Sequence, residues 1–185
     1  MSDRLKRRDI IDRDERDEDN RRIIYMLVED DSNFLSPFSA NHAPVISGET
    51  ADFLDHNVKH NLNDSGIHLI IASDRIDETE KPVYRQAIAN YYHIELKEIW
   101  QEMRKNAVVS LIMTLFSAVV FSVAVLLEMK TEVGAVILNM LDVFAWVFLW
   151  EAVDMFFLQR PQLRKRRYRT EAVLQAKITF VPSEQ

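Results

Sequence analysis

No cysteine occurs anywhere in the 185 residues. That excludes a disulfide framework, thiolate catalysis and zinc sites built on thiolates, and it fits a reducing cytosolic compartment. Glycine is almost as scarce, with only Gly48, Gly66 and Gly134. Neither a Gly-x-Gly-x-x-Gly turn nor a Walker-type phosphate loop can therefore be written at any position. An excess of basic residues is missing too. The formal net charge is -6, which argues against a general nucleic-acid binder, because counterion release needs a basic face. Finally, the charged start of the chain is not followed by an apolar core segment, so it does not read as a secretory signal.

What is present is concentrated in the middle. Asn106 to Leu127 holds no charged side chain, no glycine and no proline, and Gly134 to Leu158 is equally apolar except for Asp142, Glu151 and Asp154. About 18 apolar residues suffice to cross a bilayer's hydrocarbon core as a helix. Two such runs joined by a short polar hinge read as an α-helical membrane hairpin, with helices at 106–127 and 134–158 and the hinge at 128–133. The rest of the chain has room for one small soluble domain of roughly 80 to 110 residues.

Residues 1–22 mix acidic and basic side chains densely and predict a charged, disordered tail. Residues 23–105 read as a cytosolic α/β domain. Ile23 to Val28 and Ile67 to Ala72 are continuous β-favouring apolar runs, expected as strands buried on both faces. Between them, Ser47 stands where a helix N-cap belongs and Glu49 suits the first turn. That helix should run to about His60, with Ala51, Leu54 and Val58 inward. Strand, helix, strand at this spacing is a βαβ pattern with parallel strands. A second helical pattern opens near Thr79, with Pro82 tolerated in its first turn. Its apolar stripe is Ala87, Tyr91, Ile94, Leu96 and Trp100, with a break expected near His93, and it leads directly into the first membrane helix. Residues 159–185 read as a basic juxtamembrane segment and a C-terminal strand over Ile178 to Val181. That strand could return to the sheet and complete the soluble domain.

Orientation follows from the flanks. Lys97, Arg104 and Lys105 precede the first span, a basic cluster from Arg160 to Arg169 follows the second, and the hinge holds only Lys130 against Glu128 and Glu132. Basic short flanks stay cytoplasmic, so both termini are expected in the cytosol of a cell (inner or plasma) membrane protein. Arg164, Lys165, Arg166, Arg167 and Arg169 serve as a topology anchor and, in a sharper reading, recognise anionic lipid headgroups at about 1 kcal/mol per basic residue.

The intramembrane polar residues are Asn139, Asp142, Glu151 and Asp154. A charged Asp142 deep in the bilayer costs about 2.5 to 3.5 kcal/mol unless paired, hydrated or protonated. In the first span, Ser110, Thr114 and Ser117 form part of a small, hydroxyl-bearing stripe suited to close helix packing. Two helices cannot enclose an acid from all sides, so self-association is expected. Asn139 and Asp142 then act either as glue between subunits or as a carboxylate ring lining a cation path.

The soluble part offers fragments of chemistry. His56 and His60 stand at i and i+4 and could hold a divalent metal, although the glutamate of a zinc protease is missing because Asn57 follows His56. Glu29, Asp30 and Asp31 follow the first strand, and Asp74, Asp77 and Glu78 the second, at one carboxyl edge where open α/β sheets bind ligands. A solvated polar helix face is the favoured reading of the histidine pair, and charged, solvated loops the favoured reading of the strand-end acids.

These readings together describe a two-pass integral membrane protein, a homo-oligomeric regulatory or assembly module with a cytosolic docking or sensing domain. A small oligomeric ion channel or transporter component using Asn139 and Asp142 is the alternative, and a membrane-tethered enzyme a weaker one. No cofactor, enzymatic activity or nucleic acid is expected. The expected partners are membrane lipids, further copies of the chain, and an unidentified cytosolic ligand or protein.

Overall fold

The computed structural model describes residues 15–40, 42–61, 66–130 and 134–183, and these divide into two compact units. One comprises the described residues up to Leu96 and those from Tyr168 onward; the other is Lys97–Arg167. In chain order the elements are β1 (Arg22–Leu27), a 3-10 turn (Asp31–Asn33), α1 (Gly48–Asn61), β2 (Ile67–Ala72), α2 (Lys81–Lys130), α3 (Ala135–Asp154), a π-helical turn (Met155–Gln159), α4 (Arg160–Leu174) and β3 (Lys177–Val181).

The first unit is a three-stranded parallel sheet in the order β1-β2-β3, with helices packed on it. Its register sets Ile24 beside Leu69 and Leu69 beside Ile178, so the C-terminal strand does return to the sheet. One sheet face carries Ile24, Met26, Ile67, Leu69 and Ile71, all buried. They share a core with Ala51, Leu54 and Val58 of α1 and with Tyr84, Ala87, Ile88 and Tyr92 of α2. Each large apolar side chain buried this way contributes about 1.5 to 3 kcal/mol.

Helix α1 begins where its capping residue dictates. Ser47 Oγ accepts from the Thr50 backbone N–H at 3.3 Å, and Thr50 Oγ1 in turn donates to the Phe34 carbonyl at 3.4 Å. That second bond ties the helix start to the loop before it.

Four expectations are corrected for the strands, for the segment before β1 and for the part of α2 up to Trp100. First, β1 is not buried on both faces. Ile24 and Met26 point inward, but Tyr25 and Leu27 are 49% and 60% exposed, because a continuous apolar run hides the period-two alternation that burial of a single face imposes. Second, residues 15–22 are not a disordered tail. Asp17 accepts from the N–H groups of Asp19 and Arg21 at 3.0 and 2.7 Å, and the Ile23 N–H bonds to the Glu15 carbonyl at 2.9 Å. The remaining residues of that expectation, 1–14, lie outside the described ones. Third, α2 does not break near His93. It runs unbroken for 50 residues, about 75 Å at 1.5 Å per residue, because no residue between Val83 and Lys130 lacks a backbone N–H. Fourth, its apolar stripe has a different phase. Tyr84, Ala87, Ile88, Tyr92 and Ile99 are buried, whereas Ile94 and Trp100 are 53% and 48% exposed.

The second unit contains the later part of α2, then α3, the π turn and the start of α4. Both α2 and the continuous helix from Ala135 to Leu174 are long and apolar enough to cross a membrane. Between them, α2 extends through Lys130, which shortens the expected hinge, and its residues 131–133 lie outside the described ones. The second helix does not end at Leu158. It widens into the π turn and continues. Pro161 supplies the physical cause, since it cannot donate to the preceding turn and a wide turn absorbs the missing bond.

Candidate functional site

Within the second unit, α2 and α3 meet along a seam of small residues. On α2 these are Ser110, Ser117 and Ala124, and on α3 they are Ala145 and Ala152, all between 2% and 7% exposed. Each set recurs every seven residues, the repeat that keeps one stripe facing a partner helix. Ser117 Oγ donates to the Ala145 carbonyl at 2.7 Å and Ser110 Oγ to the Ala152 carbonyl at 3.1 Å. A side chain that short reaches a neighbour's backbone only when the two helices approach closely, which is what small residues permit. Thr114 does not reach across, because its hydroxyl bonds back to the Ser110 carbonyl at 2.8 Å. Phe116 and Phe148 pack edge to face beside the seam, with centroids 4.7 Å apart. An apolar groove of about 550 Å³ follows it on another side, between Thr114, Phe121, Trp146 and Leu149.

The polar residues of α3 separate into two groups. Asn139 and Asp142 are exposed, three residues apart on the outside of the helix pair, and among the described residues none bonds to them. Asp154 is half-buried. It accepts from Gln159 Nε2 at 3.0 Å, and Gln159 Oε1 accepts from Asn106 Nδ2 at 3.2 Å. This hydrogen-bonded chain spans the π turn and joins α2 to it. Glu151 is exposed.

The basic cluster on α4 is unevenly engaged. Arg167 lies over the Trp100 ring at 4.3 Å from its centroid, and Arg166 sits 3.8 Å from Glu102. Arg164 and Lys165 are exposed and Arg169 is half-buried. Arg160 covers the Phe156 ring at 4.7 Å. Guanidinium groups stacked on aromatic rings keep their charge while covering apolar surface.

In the first unit, the acidic groups after β1 and β2 do fall at one carboxyl edge, since the strands are parallel neighbours. Most of them serve local structure. Asp30 caps the 3-10 turn by accepting from the Ser32 N–H and hydroxyl at 3.1 and 2.8 Å, and these bonds hold its carboxyl below the usual range. Asp31 accepts from the Tyr84 hydroxyl at 3.0 Å and Asp74 from the Ser183 N–H at 2.8 Å. Glu78 pairs with Lys81. His56 is exposed on α1, and the side chain of His60 lies outside the described residues. Among the described residues, no three His, Asp or Glu side chains converge on a point where an ion could sit.

Three features were missed in the sequence. The buried His68 Nδ1 lies 3.0 Å from Asp17 Oδ2, and its Nε2 meets Thr179 Oγ1 at 2.8 Å. Burial pushes the Asp17 carboxyl up, but the Arg21 N–H, the nearby His68 and the Asp19 N–H together bring it below its ordinary value. This chain of contacts pins the segment before β1 to β2 and β3. The Asn106–Gln159–Asp154 network is the second. The third is the α3 side of the seam, and the seven-residue spacing of Ala145 and Ala152 was the signal available for it. A further groove of about 500 Å³ opens along β1, lined by Tyr25, Leu27, Phe34, Phe53, Glu29 and Glu49 among others. Searches of family models, curated proteins and solved structures find no match to this chain.

Proposed function

We propose that the chain is a two-pass membrane protein whose α2–α3 hairpin crosses the bilayer with its basic flanks in the cytosol. It works as a homo-oligomeric assembly or regulatory module that presents the α/β unit for docking. One observation carries the reading. The apolar side chains of the hairpin point outward: Leu111, Ile112, Leu115 and Val119 are 60%, 58%, 58% and 61% exposed. Only 17% of the most apolar stretch of α2 and 11% of that of the following helix is buried within the chain. A core helix of a water-soluble protein buries such a surface, and water does not tolerate an apolar patch of this extent. Lipid does. The flanks Arg104, Lys105, Arg164 and Lys165 supply the orientation and contacts to anionic headgroups.

Self-association rests on Asn139 and Asp142, which face outward and so would meet lipid in a lone hairpin. The same exposure favours the second reading, a cation path lined by these residues in the oligomer. The absence of cysteine makes the test clean. Single cysteines placed by Glu128→Cys and Arg164→Cys are treated with an impermeant thiol reagent on sealed cells. Labelling of the first alone supports the hairpin. Equal labelling of both, or a chain extracted without detergent, removes it. Asp142→Asn then separates the two oligomer readings: loss of assembly supports subunit glue, and intact assembly with lost ion flux supports the cation path.

A further inference from the structure

We propose that the outer edge of β1 is a docking site for an extended, basic peptide segment of a partner protein, which joins the sheet as an antiparallel strand. The inference rests on reading the α/β unit as a docking domain and names where and what it docks. The parity of β1 comes first. Arg22 donates to the Gly66 carbonyl at 3.1 Å and Val28 to the Ala72 carbonyl at 2.9 Å, both on the β2 side. Ile23 donates in the opposite direction, to the Glu15 carbonyl at 2.9 Å. Alternate residues of a strand turn their N–H and C=O groups to opposite sides, so Tyr25 and Leu27 present theirs outward, as Ile23 does. Among the described residues, nothing meets these four groups. An open strand edge of this kind is a template for strand addition. Among the described residues, the pairing on this edge, Arg16 with Arg22, is antiparallel, which is the direction taken for the added strand.

The groove along this edge states the occupant's chemistry. Its floor is apolar, from Leu27, Phe34 and the 40% exposed Phe53, and its volume of about 500 Å³ suits a few residues of extended chain. Its rim at the carboxyl end of β1 is acidic, with Glu29, Asp30 and Glu49. Arg75 offsets part of the charge of Asp30, so Glu29 and Glu49 are the rim carboxylates that the basic end of the peptide would meet. An antiparallel strand reaches that end with its first residues. The peptide that fits therefore begins with Arg or Lys and continues with alternating apolar residues.

The probes are two acetylated hexapeptides, Arg-Arg-Val-Thr-Val-Thr and Glu-Glu-Val-Thr-Val-Thr, titrated against the full chain in detergent. The arginine peptide should bind and the glutamate peptide should not. Glu29→Gln with Glu49→Gln should weaken binding about tenfold. Amide exchange at Tyr25 and Leu27 should slow on binding, while Ile24 and Met26, already bonded to β2, stay as they were. Leu27→Pro removes one outward donor without touching the β2 ladder and should abolish binding in a protein that still melts cooperatively. Absence of binding overturns the proposal, as does binding that leaves Tyr25 and Leu27 exchange unchanged. So does binding seen only after removal of residues 1–14, which would make the chain itself the occupant of the edge. The membrane reading is scored separately by thiol labelling, so either can fail alone.

Discussion

The seam at Ser117 offers the sharpest quantitative test of the hairpin. Ser117 is 5% exposed, and its hydroxyl lies 2.7 Å from the Ala145 carbonyl. Ser117→Ala removes that hydroxyl and keeps the small side chain. The Ala145 carbonyl retains its own helical hydrogen bond, so the loss is that of one interhelical bond, about 0.6 kcal/mol and at most about 2. Ser117→Leu replaces the hydroxyl oxygen by three carbons where the partner backbone already lies within hydrogen-bond reach. No rotamer places them in the seam, and the helices must separate or shift. Overpacking costs about 1 to 3 kcal/mol, to which the lost bond adds. Leucine should therefore destabilise the hairpin by at least about 1 kcal/mol more than alanine, a factor of about five in the equilibrium. The difference is read from denaturant titration in mixed micelles, following Trp146 and Trp150 fluorescence. Spin labels at Val123→Cys and Val136→Cys should report a longer interhelical distance for leucine only. Equal effects of the two substitutions, or a silent leucine variant, would show that the seam is not the close contact described.

Four further outcomes follow from the α/β unit and α4. The Asp17 carboxyl lies below its ordinary value in the folded chain, so its contribution to stability is complete above about pH 4. It is lost as pH falls through the lowered value, and Asp17→Asn should flatten the acid limb of a melting profile; an unchanged limb refutes the assignment. Burial and the bonds to Asp31 and Asp55 push the Tyr84 and Tyr92 hydroxyls up. Their contribution holds below about pH 10 and is lost above it, so Tyr84→Phe with Tyr92→Phe should flatten the alkaline limb. At neutral pH, Tyr92→Phe alone should cost about 1 kcal/mol. The combined cost of Tyr92→Phe and Asp55→Ala should fall short of their sum, and strict additivity would deny the 2.9 Å bond between them. Pro161→Ala restores a backbone donor beside the π turn. It should slow amide exchange there, and unchanged exchange would mean the wide turn has another cause.

Much of this chain was readable without coordinates, because the strongest signals are one-dimensional. Two charge-poor runs, their lengths and the basic flanks depend only on which residues are adjacent. The parallel strands and the start of α1 at Ser47 are local in the same way, set by a short apolar run, a capping hydroxyl and helical spacing. What the sequence left open depends on partners far along the chain. Whether Tyr25 faces core or solvent is decided by which sheet face α1 and α2 cover, and a run in which every residue is apolar cannot encode that choice. The phase of α2 follows from the depth at which Tyr92 enters the core, and Ile94 loses its place there for that reason alone. His68 reads as an isolated histidine until the fold brings Asp17 from 51 positions upstream and Thr179 from 111 downstream. Ala145 and Ala152 carry no chemistry of their own, and they become a contact only because Ser117 and Ser110 arrive opposite them. Adjacency sets the elements, but burial and pairing are relations between elements, and only the folded chain supplies them.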